Sequence, residues 1–215
     1  ETKAPMFYSA AAQPIEAEIE FSGQIVRIEV LNQSVYTNVS VSKRGYKQVT
    51  PSQTIRYDFK NIANNSTVPL NSFYWRDTLP TSAVRLTKIV TGTWNQRLSY
   101  KVVYKTNLHD YRTLADNLST MKNYSLDASS AALGLASNEY VTDFMFVFGT
   151  VKAGFAQVDA PYIFCWTNSW LNNGYQFTNR TDVGGLHGGQ WIMATDRWVT
   201  TVYKPGVTTL PKTGY

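Results

Sequence analysis

Cysteine is nearly absent from this sequence: Cys165 stands alone, which excludes a disulfide framework within the chain. Histidine is almost as scarce. His109 and His187 are the two present, and neither lies beside a nucleophile or at metal-ligand spacing. There is no Gly-x-Ser-x-Gly, no phosphate-cradling glycine loop and no zinc pattern. These gaps argue against an enzyme and give no reason to expect a metal or other cofactor. Charged residues make up only 16% of the chain, and the basic ones form no stripe attached to a nucleic-acid motif. No nucleic-acid partner is expected. No apolar run reaches the length needed to cross a bilayer.

What is plentiful is aromatic and β-branched. The chain is 43% hydrophobic and 14% aromatic, a composition that favours strands and a packed core over disorder. Residues 15–21 alternate strictly, apolar at odd positions and Glu at even ones, so they read as a half-buried strand. Ser22-Gly23 turns it, and 25–31 return as a second strand ending at Asn32. Alternation resumes at 39–41, 55–60 and 98–105, while 140–148 are apolar on both faces, as in a central strand. Further strands are expected at 161–166, 175–178 and 190–203. The spacing of Leu114, Leu118 and Met121 predicts one short helix over 113–121. Gly134, Gly149, Gly154, Gly174, Gly184-Gly185 and Gly188-Gly189 read as turns. Asp182-Val183-Gly184-Gly185 reads as a turn rather than a Ca²⁺ loop.

Together these patterns give an all-β chain: a β-sandwich of immunoglobulin-like or prealbumin-like type, preceded by a partial small β domain. Residues 38–204 are expected to form one large sandwich of at least eight strands, with Tyr57, Phe59, Val102 and Phe146 in its core. Cys165, inside the apolar run Pro161-Tyr162-Ile163-Phe164-Cys165-Trp166, reads as a small buried hydrophobe. The net charge of +5 is uneven: −3 over residues 1–37 and +8 over the remainder. Lys43-Arg44 with Lys47 is its one basic cluster, and a solvated turn explains it better than contact with anionic wall polymer. Seven Asn-x-Ser/Thr sequons, at Asn32, Asn38, Asn64, Asn65, Asn117, Asn123 and Asn179, read as polar turns and strand edges.

Three stretches resemble known families. Leu210-Pro211-Lys212-Thr213-Gly214, behind an extended lead-in containing Pro205 and Gly206, resembles the Leu-Pro-x-Thr-Gly sorting signal of Gram-positive cell-wall surface proteins. That resemblance implies secretion, cleavage by a sortase after Thr213, and covalent attachment of Thr213 to peptidoglycan or a pilus subunit. Residues 205–215 are then a flexible tail. Glu1 and Tyr215 read as trimmed ends, since the family continues into an apolar helix and a basic tail.

Glu1 to Tyr8 and the strand ending at Asn32 resemble the closing half of a CnaB-type repeat, as in SpaA-like pilins. In that family a buried Lys attacks the Asn side chain while a Glu shuttles protons. Residues 1–37 lack the strand that would supply the Lys, so Glu1 and Asn32 are expected to be inactive, and no isopeptide bond at Asn32 is expected. Lys43, placed in a solvated turn, is not expected to supply it either. The order of strand, Asn-rich loop, aromatic strand and Asp77-Thr78-Leu79-Pro80 resembles a β-sandwich repeat of bacterial wall-anchored and stalk proteins. Its implied role is spacing and adhesion.

Two functional classes follow. One is a structural spacer or stalk domain. The other is an adhesin that binds a host glycan or protein through Trp166, Trp170, Tyr175 and Trp191. Patterning sends most of these rings to the core; Trp170, in the polar loop 167–174, is the one expected to be exposed.

Overall fold

The computed structural model describes residues 7–8, 15–21, 23–30 and 34–206. Its strands are β1 (Phe7–Tyr8), β2 (Ile15–Phe21), β3 (Gln24–Val30), β4 (Val35–Tyr36), β5 (Val39–Arg44) and β6 (Gln48–Val49). There follow β7 (Thr54–Asn64), β8 (Leu70–Thr78), β9 (Val84–Val90), β10 (Ser99–Thr106), β11 (Arg112–Ser119) and β12 (Ser125–Asp127). The last four are β13 (Val141–Val151), β14 (Tyr162–Thr167), β15 (Gln176–His187) and β16 (Gln190–Val202). Among the described residues helix is confined to one turn, α1 (Ser130–Leu133), and no helix is long and apolar enough to cross a membrane.

The twelve strands from β5 onward form two sheets. One runs β11-β10-β13-β8-β15-β16-β6 and the other β12-β9-β14-β7-β5. All pairs are antiparallel except β16 with the short β6. Alternation explains the layering: Val39, Val41 and Lys43 of β5, Ile55, Tyr57 and Phe59 of β7, and Phe73, Trp75 and Asp77 of β8 all point inward. Tyr57, Phe59, Val102 and Phe146 share one buried cluster, as the sequence predicts. Its centre is aromatic. Trp75 meets Phe59 at 4.5 Å and Phe146 at 4.6 Å between ring centroids, edge on, and Trp94 stacks on Phe155 at 5.4 Å. Each such pair contributes about 0.5–1.5 kcal/mol beyond its burial.

The hairpin of residues 15–30 forms with the expected two-residue turn, Phe21 facing Gln24. β1 pairs with β4, and Tyr36 and Asn38 are tied to the loop after β7 through Thr67 and Ser66.

Four expectations are corrected. Residues 113–121 are a strand and its turn, β11, rather than a helix. Irregular pairing with β10 within this stretch lets both Leu114 and Leu118 reach the core from a strand. Gly184-Gly185 and Asp182 lie inside β15 rather than in a turn. The glycines serve close packing: a Cβ at Gly184 would stand 2.7 Å from the Tyr74 ring, and one at Gly185 would stand 2.7 Å from Leu70 Cβ. Asp182 is held by Arg76 in a two-pronged pair, both contacts at 3.0 Å. The sequons at Asn64 and Asn179 are fully buried rather than at edges. Asn64 is satisfied by the carbonyls of Val68 and Lys152. Lys43, finally, is no solvated turn residue: its side chain has no exposed surface.

Candidate functional site

Lys43 lies on β5, an outer strand of the five-stranded sheet, where the alternation that buries Val39 and Val41 turns the next odd position inward as well. Its backbone N–H donates to Asp196 Oδ2 at 2.7 Å, which ties this edge strand to β16 of the facing sheet. The ammonium carbon chain crosses the core, and Nζ stops 4.2 Å from the Tyr57 ring centroid and 4.1 Å from that of Phe59. There it meets Asp77 Oδ1 at 2.9 Å. Asp77 lies on β8, inward beside Trp75, and is likewise without exposed surface.

The third member comes from β15. Asp77 faces Thr181 across the β8–β15 ladder, and Asn179, two residues earlier, shares that inner face. Its carboxamide stands close enough to Asp77 and to the Tyr57 hydroxyl to act on the ionisation of both. Yet neither its Oδ1 nor its Nδ2 makes a hydrogen bond, and the residue is fully buried. Asp77 Oδ2 and the Tyr57 hydroxyl are orphans as well. Four of the seven buried orphan side-chain atoms among the described residues thus gather at one place. Each costs about 1–3 kcal/mol, so the cluster is a local reservoir of unfavourable free energy.

The electrostatics point the same way. Burial pulls the Lys43 amine below its ordinary value, against the opposing pull of Asp77. Burial pushes the Asp77 carboxyl up, against the opposing pull of Lys43. Burial thus disfavours the charged form of each partner, and the neighbour's charge favours it. A neutral amine is a nucleophile, and a carboxylic acid can both give and take a proton. Beside them sits an amide whose Oδ1 and Nδ2 form no hydrogen bond of ordinary geometry. Cys165, inward on β14, has its thiol pushed up by the same burial, in keeping with an inert hydrophobe.

The sequence offers parts of this site but not the whole. Lys43 and Asp77 stand in stretches that the sequence marks as alternating, and Asn179 stands in a sequon. Only strand alternation continued from Val39 through Val41 to Lys43 could have flagged the amine as internal.

Glu1, Asn32 and Leu210 to Gly214 lie outside the described residues. The four ring candidates are all partly exposed, so the expectation that most are core is corrected. They do not form one row. Trp191 lies on the seven-stranded sheet, edge on to Tyr74 at 6.0 Å, in a cavity of about 490 Å³ with Arg76, Met145, Val147 and Met193. Tyr175 is held by Ser82, hydroxyl to hydroxyl at 2.7 Å. Trp166 lies on β14 of the five-stranded sheet and Trp170 in the loop that follows it, both near Arg85. His109 does find a partner, Glu139 at 2.8 Å, which is a structural contact without a nucleophile.

No protein-family model and no curated protein matches the chain. Among solved structures it is similar to a cohesin module from a Clostridium perfringens family 33 glycoside hydrolase, at 8% identity and TM-score 0.38, over 78% of this chain and 98% of that one. It is also similar to the collagen-binding domain of a Staphylococcus aureus adhesin, at 12% identity and TM-score 0.32, over 79% and 99%. A third likeness is to the collagen binding subdomain of Enterococcus faecalis surface protein ACE, at 11% identity and TM-score 0.30, over 76% and 95%.

Proposed function

We propose that this chain is a structural module of a bacterial surface protein, and that its sandwich is sealed by an isopeptide bond between Lys43 and Asn179. The observation that carries the cross-link is the fully buried Asn179 carboxamide, unbonded at both ends, beside the Lys43–Asp77 pair. In the reaction, Lys43 Nζ, as the free amine, attacks Asn179 Cγ, and charge develops on Oδ1. Asp77, as the acid, steadies that oxygen, gives its proton to Nδ2 and takes one from Nζ in its place. The Cγ–Nδ2 bond breaks, ammonia leaves, and Asp77 ends as it began, protonated. No external reagent is consumed and no substrate is turned over, so the role is mechanical rather than enzymatic.

The bond would join β5 to β15, an outer strand of one sheet to an inner strand of the other. It closes a loop well over a hundred residues long. By the chain-entropy argument used for disulfides, such a loop closure contributes about 5 kcal/mol. A spacer that bears load between a cell and its surroundings gains from that, and a chain with one cysteine cannot obtain it from a disulfide.

The Leu210 to Gly214 motif supports the rest of the reading: secretion, and sortase-catalysed attachment through Thr213 to peptidoglycan or a pilus subunit. Two measurements test the two halves separately. Intact-mass analysis is expected to find the chain lighter by one ammonia, with fragmentation placing a Lys43–Asn179 branch. A full-mass chain sinks the cross-link. Incubation with a sortase and an amine nucleophile is expected to transfer that amine to Thr213, and no product across several sortase classes sinks the anchor.

A further inference from the structure

The outer face of the five-stranded sheet carries a feature that the cross-link does not use. β14 is the middle strand of that sheet, and its outward positions are Tyr162, Phe164 and Trp166. Tyr162 and Phe164 meet edge to face at 5.6 Å. The register sets cations along this row: Phe164 lies between Arg56 of β7 and Lys88 of β9, and Trp166 lies between Thr54 and Arg85.

These cations are not equivalent. Arg56, 3.6 Å above the Tyr162 ring, is neutralised by Asp58 at 2.7 Å. Lys88 faces Asp127 across the β9–β12 ladder. Arg85 has no carboxylate partner among the described residues. Its Nη1 donates to the carbonyls of Thr81 at 2.5 Å and Val84 at 3.0 Å, which fixes the group and leaves Nε and Nη2 unused. Rings surround it: Tyr140 at 4.3 Å and Trp170 at 5.9 Å, with Trp166 its direct neighbour across the ladder. Trp166 and Trp170 are 44% and 64% exposed. A fixed guanidinium with half of its fork free, set among open indoles, is complementary to a carboxylate attached to a flat body.

We propose that Arg85, Tyr140, Trp166 and Trp170 bind a carboxylate-bearing saccharide. The sugar ring stacks its C–H face on an indole, and its carboxylate takes the unused Nε and Nη2 donors of Arg85. A peptide carboxylate would satisfy Arg85 but leave the rings idle, and a neutral sugar would leave Arg85 without its counter-ion. The excess of basic over acidic residues, 20 to 15, adds a long-range attraction for an acidic glycan chain. This site stands on the face away from Lys43, so it does not depend on the cross-link.

The test is titration of the full chain with a glucuronate-containing tetrasaccharide, read by tryptophan fluorescence and calorimetry. A glucose tetrasaccharide and a Glu-rich peptide serve as comparison ligands. The acidic saccharide is expected to bind, to weaken with added salt, and to lose about tenfold or more of its affinity in Arg85→Met and in Trp170→Ala. Trp191→Ala, on the other sheet, is expected to change nothing. Trp170 lies in an exposed loop, so Trp170→Ala serves even if Arg85→Met fails to fold. No binding of the acidic saccharide, equal binding of the neutral one, or full affinity in Trp170→Ala would each overturn the proposal. Binding of the peptide with indifference to Trp170 would overturn it as well.

Discussion

Two buried carboxylates in this molecule have opposite surroundings. Glu139, just before β13, accepts from Thr106 Oγ1 at 2.7 Å, His109 Nδ1 at 2.8 Å and Arg112 Nη2 at 2.9 Å, and its other oxygen accepts from the Ala136 N–H at 3.2 Å. Hydrogen bonds from Thr106 and then His109 hold its carboxyl down at about 2. Asp77 has one partner, Lys43, one orphan oxygen and a carboxyl pushed up by burial. Both acids are nearly inaccessible and both face a cation. The saturated one is a clasp that closes the loop between β10 and β11. The starved one sits beside an equally starved amide.

The sharpest way to break the comparison is Asp77→Ala. It removes the proton shuttle and strands Lys43 in the core, so the cross-link should fail to form. Stability should also fall by about 3–5 kcal/mol beyond the loss of the bond. Intact mass and denaturant midpoints check both parts; an ammonia-deficient chain in this variant would show that Asp77 is not the shuttle. Replacing the pair by Lys43→Met with Asp77→Leu should also abolish the bond. It should restore most of the folding stability that Asp77→Ala loses, because neither an unpaired charge nor the orphan carboxyl oxygen remains. A double variant no more stable than Asp77→Ala would contradict the account of the pair.

A smaller effect is expected from Tyr57→Phe. Removing the orphan hydroxyl beside Asn179 should slow cross-linking by about tenfold to a hundredfold, since one donor near the developing oxyanion is lost. The fold should persist. A mass time course after refolding follows the rate, and an unchanged rate would confine Tyr57 to packing.

The smallest effect belongs to Glu139→Gln. Glu139 is held below its ordinary value of 4.5, so its contribution is present in full above that pH and is lost as pH falls towards about 2. The variant should be less stable near neutrality and should show a flatter acid limb between those values. Urea midpoints measured at about pH 7, 4.5 and 2 test this. Parallel curves for the two proteins would remove Glu139 from the acid response.

Local alternation was enough to mark the hairpin of residues 15–30 and the strands near 55–60 and 98–105, because side-chain direction in a strand repeats every two residues whatever surrounds it, and a run apolar on both faces marked 140–148. β11 was harder. The β10–β11 register slips on both sides of Val102, and Asn117 takes a positive φ of 51°, so its apolar positions lose the simple period. Gly184 and Gly185 were misread for a related reason. Glycine marks a turn only when conformation is what it supplies; here it supplies space for Tyr74 and Leu70.

The site shows the same divide. Sequence alone determined that the chain is built of strands, that a disulfide was out of reach and that a Leu-Pro-x-Thr-Gly motif lies near its end. It could not show that Lys43, Asp77 and Asn179 belong together. These three residues come from β5, β8 and β15, from two different sheets, and each looks locally like an ordinary polar strand residue. Only the packing of one sheet on the other put a lysine, an acid and an amide in a place without water. Removal of water, a property of the assembled core and of no single stretch of chain, is what pulls the amine below its ordinary value and leaves the amide unsatisfied.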